Sequence, residues 1–185
     1  MSGDSAKRHH RPTLAALAVL MPLALGRTAQ AQIQVPTEHD DILAVWAGKY
    51  DFNANRHPAA EFGAEYRPRL DLWIFQPMVG AMHTTNDATD AFAGFSTDVI
   101  FYDRVVLRPA IAVSAYARGA AKDLGYGLEF RESAELAYRF DDNSRLGIEA
   151  YHLSNAGLGH RNPGEETIAM IYSLPTAKIG HWLGE

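Results

Sequence analysis

Two short segments near the end of the chain carry residue types that do chemistry together: Tyr151-His152-Leu153-Ser154-Asn155-Ala156-Gly157 and Asn162-Pro163-Gly164-Glu165-Glu166. Side chains alternate between the faces of an extended strand, so His152 and Ser154 leave the same face. That face also carries Leu146, Ile148 and Ala150, while Glu166 shares parity with Ile168, Met170 and Leu174. Polar groups on an apolar face are costly without partners, and a hydroxyl, an imidazole and a carboxylate can satisfy one another. They are also the parts of a hydrolytic triad: Ser154 attacks, His152 takes its proton, and Glu166 orients the imidazole. Asn155, Asn162 and backbone N–H groups near Gly157 are candidate donors to an oxyanion. The plain alternative is a polar pair at a membrane interface, because geometry and not spacing identifies a triad.

Other chemistries find less support. There is no cysteine, hence no thiolate nucleophile and no disulfide framework. His152, His160 and Glu166 do not make a compact ligand motif, so no metal is expected. No glycine-rich phosphate cradle is present, and no cofactor is expected. His57, His83 and His160 fall in expected loops.

The elements that must position these residues follow from the alternation. Lys7, Arg8 and Arg11, an apolar run over 13–25 and Ala29-Gln30-Ala31 have the layout of a secretory signal peptide over residues 1–31. Its removal takes four of the 17 basic residues and one of the 22 acids, moving the net charge from −5 to −8. An exported acidic protein is a poor nucleic-acid binder. No later segment is apolar for long enough to cross a membrane as a helix, which leaves a soluble protein or a barrel.

About eight strands are expected, over 42–52, 59–67, 70–82, 91–102, 105–118, 128–140, 145–154 and 166–174. The alternation sets an apolar face against a polar one, with the third strand mixed, and the polar faces carry Arg108, Arg118, Arg131 and Arg139 with Glu61, Glu65, Glu135 and Glu149. These charges would pair inside a narrow closed barrel filled by side chains. Trp46, Tyr50, Phe52, Trp73, Phe101, Tyr102, Tyr138, Phe140 and Tyr172 suit interfacial girdles. Long connections over 53–58, 83–90, 119–127 and 155–165 alternate with short ones near 68–69, 103–104 and 141–144. Outer-membrane barrels have that alternation. The fold expected is all-β, an eight-stranded antiparallel transmembrane barrel over 32–175, with 176–185 as a periplasmic tail.

His152-x-Ser154-Asn155-Ala156-Gly157, then Asn162-x-Gly164-x-Glu166 and an apolar strand ending in Leu174-Pro175, resembles the signature of the lipid A 3-O-deacylase (PagL) family. The resemblance implies a Gram-negative outer-membrane barrel with a Ser–His–Glu triad that releases the 3-linked hydroxyacyl chain of lipid A without a metal. By position it makes Ser154 the nucleophile, His152 the base and Glu166, not Glu165, the acid. Asn162 becomes the oxyanion-side residue, Gly157 a backbone donor and Asn155 a support for the turn. The site would face the outer leaflet, where lipopolysaccharide is, with Arg118, Lys122 and Arg161 either meeting lipid A phosphates or lying as solvated loop charges. A homodimer could shelter it. The chain departs from the pattern by continuing past the last strand. The competing functions are a non-catalytic barrel, structural or adhesive, and a soluble lipid carrier of lipocalin type.

Overall fold

The computed structural model describes residues 32–70 and 72–183; the segment read as a signal peptide lies outside the described residues. The strands are β1 (Ile33–Gln34), β2 (Ile42–Tyr50), β3 (Ala59–Arg67), β4 (Gln76–Thr84), β5 (Thr89–Ser96), β6 (Val99–Phe101), β7 (Val105–Ala117), β8 (Leu128–Arg139), β9 (Arg145–Ser154) and β10 (Glu165–Pro175). A helix, α1 (Thr176–Leu183), follows. Its first residue donates an N–H to the Asp41 carbonyl at 2.8 Å, which fixes the helix against the root of β2. The strands pair antiparallel in the order β1-β6-β7-β5-β4-β3-β2-β10-β9-β8, and β7 also pairs with β8. That last pairing closes the ring.

Ten strands make an eight-stranded barrel because β5 and β6 are one strand with a gap and the two-residue β1 pairs only with β6, adding no stave of its own. Ser96 lies opposite Ala110 and Val99 opposite Leu107, so the register runs through unbroken. Between them Thr97 faces Pro109, whose carbonyl accepts the Thr97 N–H at 3.2 Å but which has no N–H to return. The strand expected over 91–102 is therefore present, with its ladder interrupted by one proline. β4 pairs with this strand no further than Ser96, and β1 takes its place beside β6.

The outer wall is apolar. Val45, Phe62, Val79, Ile111, Val113, Leu136, Ile148 and Met170 are all exposed. The inside is filled with paired charge. Arg67 lies 3.2 Å from Glu135 and also contacts Glu65. Arg131 lies 3.5 Å from Glu149, and Asp98 takes Arg145 at 2.7 Å and Arg108 at 3.4 Å. An aromatic layer surrounds Arg131, with its guanidinium carbon 3.3 Å from the centroid of Tyr151, 4.7 Å from Phe92 and 5.6 Å from Trp46. An outside that is apolar and an inside that is charged fit lipid, not water, as the surroundings.

Several expectations need correction. Trp46 and Tyr50 are not girdle residues: both are buried in the lumen, Trp46 donating to Glu61 at 2.7 Å and Tyr50 bonding Tyr116 at 2.7 Å. The indole lies flat over Gly63, its cross-strand partner, where a Cβ would come within 2.0 Å of the ring. Arg118 and Arg139 do not join the interior pairs; Arg118 is an exposed loop residue and Arg139 donates to the Asp103 carbonyl at 2.8 Å. The strand expected over 70–82 begins later, at Gln76. Trp73 sits at φ 62° and Leu72 bridges back to Phe75, so the apolar residues there form a knuckle. The connection expected over 83–90 shrinks to 85–88. The alternation is thus less regular than expected, although the two widest loops, 118–127 and 155–164, share one end of the barrel.

Candidate active site

The last residues of β9 and the first of β10 form one corner of the long-loop end. Register sets His152 directly opposite Glu166. Their side chains meet on the outer wall, His152 Nδ1 to Glu166 Oε1 at 3.3 Å, each about one-third exposed at 39% and 31%. Glu165, one residue earlier, points the other way. It is fully buried in the lumen, where it accepts the Asp51 N–H at 2.7 Å and the Thr167 hydroxyl at 3.0 Å. Strand alternation thus separates two adjacent glutamates into an interior brace and a partner for histidine.

Ser154 follows on the same outward face, opposite Phe130 of β8. No hydrogen bond joins it to His152 among the described residues. Two residues along a strand span about 7 Å between Cα atoms, within reach of an imidazole turning on its χ angles. The hydroxyl opens onto a groove of about 520 Å³ along the outer wall, lined by Ala156, Phe130, Val113, Ile111 and Phe95 among others. The lining is otherwise apolar except for Arg131, whose side chain is buried against Glu149, and Glu132, to which the sequence reading gives no role. Glu132 shares the outward parity of Phe130 and Ala134 and pairs with His152 from β8, so the imidazole stands between two glutamate strands.

The loop after β9 is held by Asn155, which is fully buried. Its amide nitrogen donates to the carbonyls of Leu124 and Arg161, both at 2.8 Å. Its amide oxygen accepts the Gly157 N–H at 2.9 Å, closing an Asx turn. The Asn155 N–H in turn goes to Asn162 Oδ1 at 3.0 Å. This bonding separates the expected oxyanion donors. The Gly157 N–H is engaged in the turn, and Asn155 is committed on all sides. Asn162 is exposed and has its oxygen engaged, and its amide nitrogen makes no hydrogen bond among the described residues. Ala156, at φ 51° beside Ser154, has its N–H unmatched among the described residues.

Gly164 is the second residue to which sequence reasoning gave no role. It sits at φ 63°, and a Cβ there would lie 2.5 Å from His152 Cε1 and 3.2 Å from Nε2. The missing side chain of Gly164 leaves room for the Cε1–Nε2 edge of the imidazole. The signal was present in the sequence, since a glycine just before a strand-opening acid invites the question of what needs the room.

The sequence profile of the lipid A 3-O-deacylase (PagL) family matches residues 62–175, most of the described barrel. The chain belongs to this family. The lipid A deacylase PagL of Pseudomonas aeruginosa is 31% identical over 71 residues, 37% of this chain and 41% of that protein. The aligned stretch therefore spans less than half of that relative. Among solved structures, the outer-membrane enzyme PagL superposes with a TM-score of 0.58 at 18% identity, covering 72% of this chain and 99% of that one. A designed transmembrane β-barrel superposes with a TM-score of 0.50 at 12% identity, covering 77% of this chain and all of that one. At such identities these likenesses speak for the fold: a transmembrane barrel.

Proposed function

We propose that this chain is an outer-membrane ester hydrolase that removes the 3-O-linked hydroxyacyl chain from lipid A, with Ser154, His152 and Glu166 as its triad. The observation that carries the reading is the His152–Glu166 contact on the lipid-facing wall, with Ser154 on the same face at the head of an apolar groove. Glu166 engages Nδ1, which leaves Nε2 as the basic nitrogen. His152 Nε2 takes the Ser154 proton as Oγ attacks the ester carbonyl, and the oxyanion is met by Asn162 Nδ2 and the Ala156 N–H. Collapse breaks the bond to the sugar oxygen, which receives the proton from His152. Water, deprotonated by the same imidazole, then attacks the acyl-enzyme and releases the hydroxy acid. The chemistry needs neither metal nor cofactor.

The location of the site supports a lipid substrate. The lumen is filled with side chains, so a substrate must arrive from the bilayer side, and the groove below Ser154 matches an acyl chain in chemistry. In this reading the long-loop end faces the cell exterior, where the leaflet carries lipopolysaccharide, and residues 1–31 are the export signal. Mass spectrometry of lipid A from cells making the wild type or Ser154→Ala, at equal outer-membrane levels, tests it. Loss of one hydroxyacyl chain with the wild type alone is the expected result. Loss with both removes Ser154 from its role, and loss with neither points to a non-catalytic barrel.

A further inference from the structure

At the long-loop end the loops 51–58, 118–127 and 155–164 meet around a depression of about 350 Å³, lined by Arg56, His57, Arg118, Lys122, Asp123 and Arg161 among others. Its charges are unevenly matched. Lys122 belongs to the interior: it is buried, with Nζ 2.9 Å from Asp51 Oδ1. Asp123 Oδ2 takes Arg118 at 3.2 Å and also contacts Arg161. One carboxylate oxygen thus serves two guanidinium groups, both 60% exposed, and the exposed Arg56 adds a third cation. A guanidinium has five N–H donors, so most of the donors of Arg118 and Arg161 remain unspent. On a chain of net charge −5 this concentration of arginine runs against the overall charge.

We propose that Arg118 and Arg161, organised by Asp123 and joined by Arg56, form a phosphate-binding site that holds a phosphate of the lipid A headgroup while the ester lies at Ser154. The substrate class rests on the function proposed above; the anion site does not. Asp123 keeps the two cations close by offsetting their mutual repulsion, and with three arginines against this one carboxylate the balance stays positive, which attracts a dianionic phosphate more strongly than a monoanionic carboxylate. Guanidinium groups match phosphate oxygens in bidentate geometry. The site is tied to the chemistry through a single loop. The Arg161 carbonyl accepts from Asn155 Nδ2, and the next residue, Asn162, accepts the Asn155 N–H beside Ser154.

The test compares wild type and the double variant R118Q/R161Q, folded in detergent, on lipid A carrying its phosphates and on the dephosphorylated lipid. The wild type should prefer the phosphorylated substrate by about tenfold or more in kcat/KM, carried by KM. In the variant that ratio should fall toward one. A ratio equal in both proteins, or no preference in the wild type, overturns the proposal, and damage to the loop alone lowers both rates and leaves the ratio in place. Phosphatidic acid added to the dephosphorylated substrate distinguishes the source: a rate that stays low assigns the site to the substrate's own phosphate, and a restored rate overturns that assignment in favour of a neighbouring lipid. Should the wild type deacylate no lipid A, the proposed function fails and titration with inorganic phosphate still decides the site. Saturable binding lost in R118Q/R161Q upholds it, and equal or absent binding overturns it.

Discussion

Gly164 shows how a single missing side chain can set the place of an imidazole, here the one proposed as the catalytic base. A methyl group there would fall 2.5 Å from His152 Cε1, on a backbone already at φ 63°. Gly164→Ala should push the imidazole away from Glu166 and Ser154, lowering kcat by about 10–100-fold, the range expected for a displacement of about 1 Å in a catalytic group. KM should change little, and steady-state kinetics on lipid A with the folded variant checks both. The His152–Ser154–Glu166 constellation was legible because strand parity alone brings the three to one face. The oxyanion side was not. Nothing in the spacing says that the Gly157 N–H is turned to Asn155 Oδ1, because an Asx turn depends on side-chain bonds that local sequence does not rank. Glu132 was passed over because a lone charge in an apolar stripe reads as an exception until register sets it beside His152.

Among the elements, alternation located the strands well where one face was charged, as in β7 and β8. It gave no orientation for β2, where Ile42, Ala44 and Trp46 face in and Leu43 and Val45 face out. Both stripes are apolar, so an inward tryptophan cannot be told from a girdle residue. The stretch before β4 misleads for another reason: Leu70 to Phe75 has strand composition, yet Trp73 turns left-handed and reverses the chain. The loops that frame the site are joined by a clasp, Asp51 with Lys122. Burial pushes the Asp51 carboxyl up, but the His57 N–H, the Lys122 ammonium and the Arg56 N–H together hold it below the ordinary aspartate range. A depressed folded value means that the clasp stabilises fully above the ordinary aspartate range and weakens as pH falls through the folded value. Protection of the Arg56 and His57 amides from hydrogen exchange, relative to their intrinsic rates, should therefore fall only in strong acid, and in Asp51→Asn already at neutral pH. That substitution should also cost on the order of 3 kcal/mol, since it leaves Lys122 buried and unpaired; urea unfolding of the folded barrel measures it.

For the molecule as a whole, the wall carries two demands at once, solvation by lipid and, on the proposed function, reception of a substrate. Ile111 serves both, standing exposed on the wall and lining the groove below Ser154. Ile111→Arg should destabilise the barrel by about 2–4 kcal/mol if the position lies near the bilayer midplane, less toward either interface. It should also slow hydrolysis of long-chain lipid more than of a short-chain ester, and paired unfolding and activity measurements separate the effects. The closed ring was legible from strand number and alternation, whereas the gap at Pro109 and the covering of β6 by β1 required the register. The packed lumen has a kinetic consequence. On the proposed function, with no route through the protein, encounters with the substrate would occur in two dimensions, and the quantity governing the rate would be the number of lipid A molecules per unit of membrane area. Diluting a suspension of vesicles at fixed composition should leave turnover per enzyme unchanged, while diluting lipid A with inert lipid inside each vesicle should lower it.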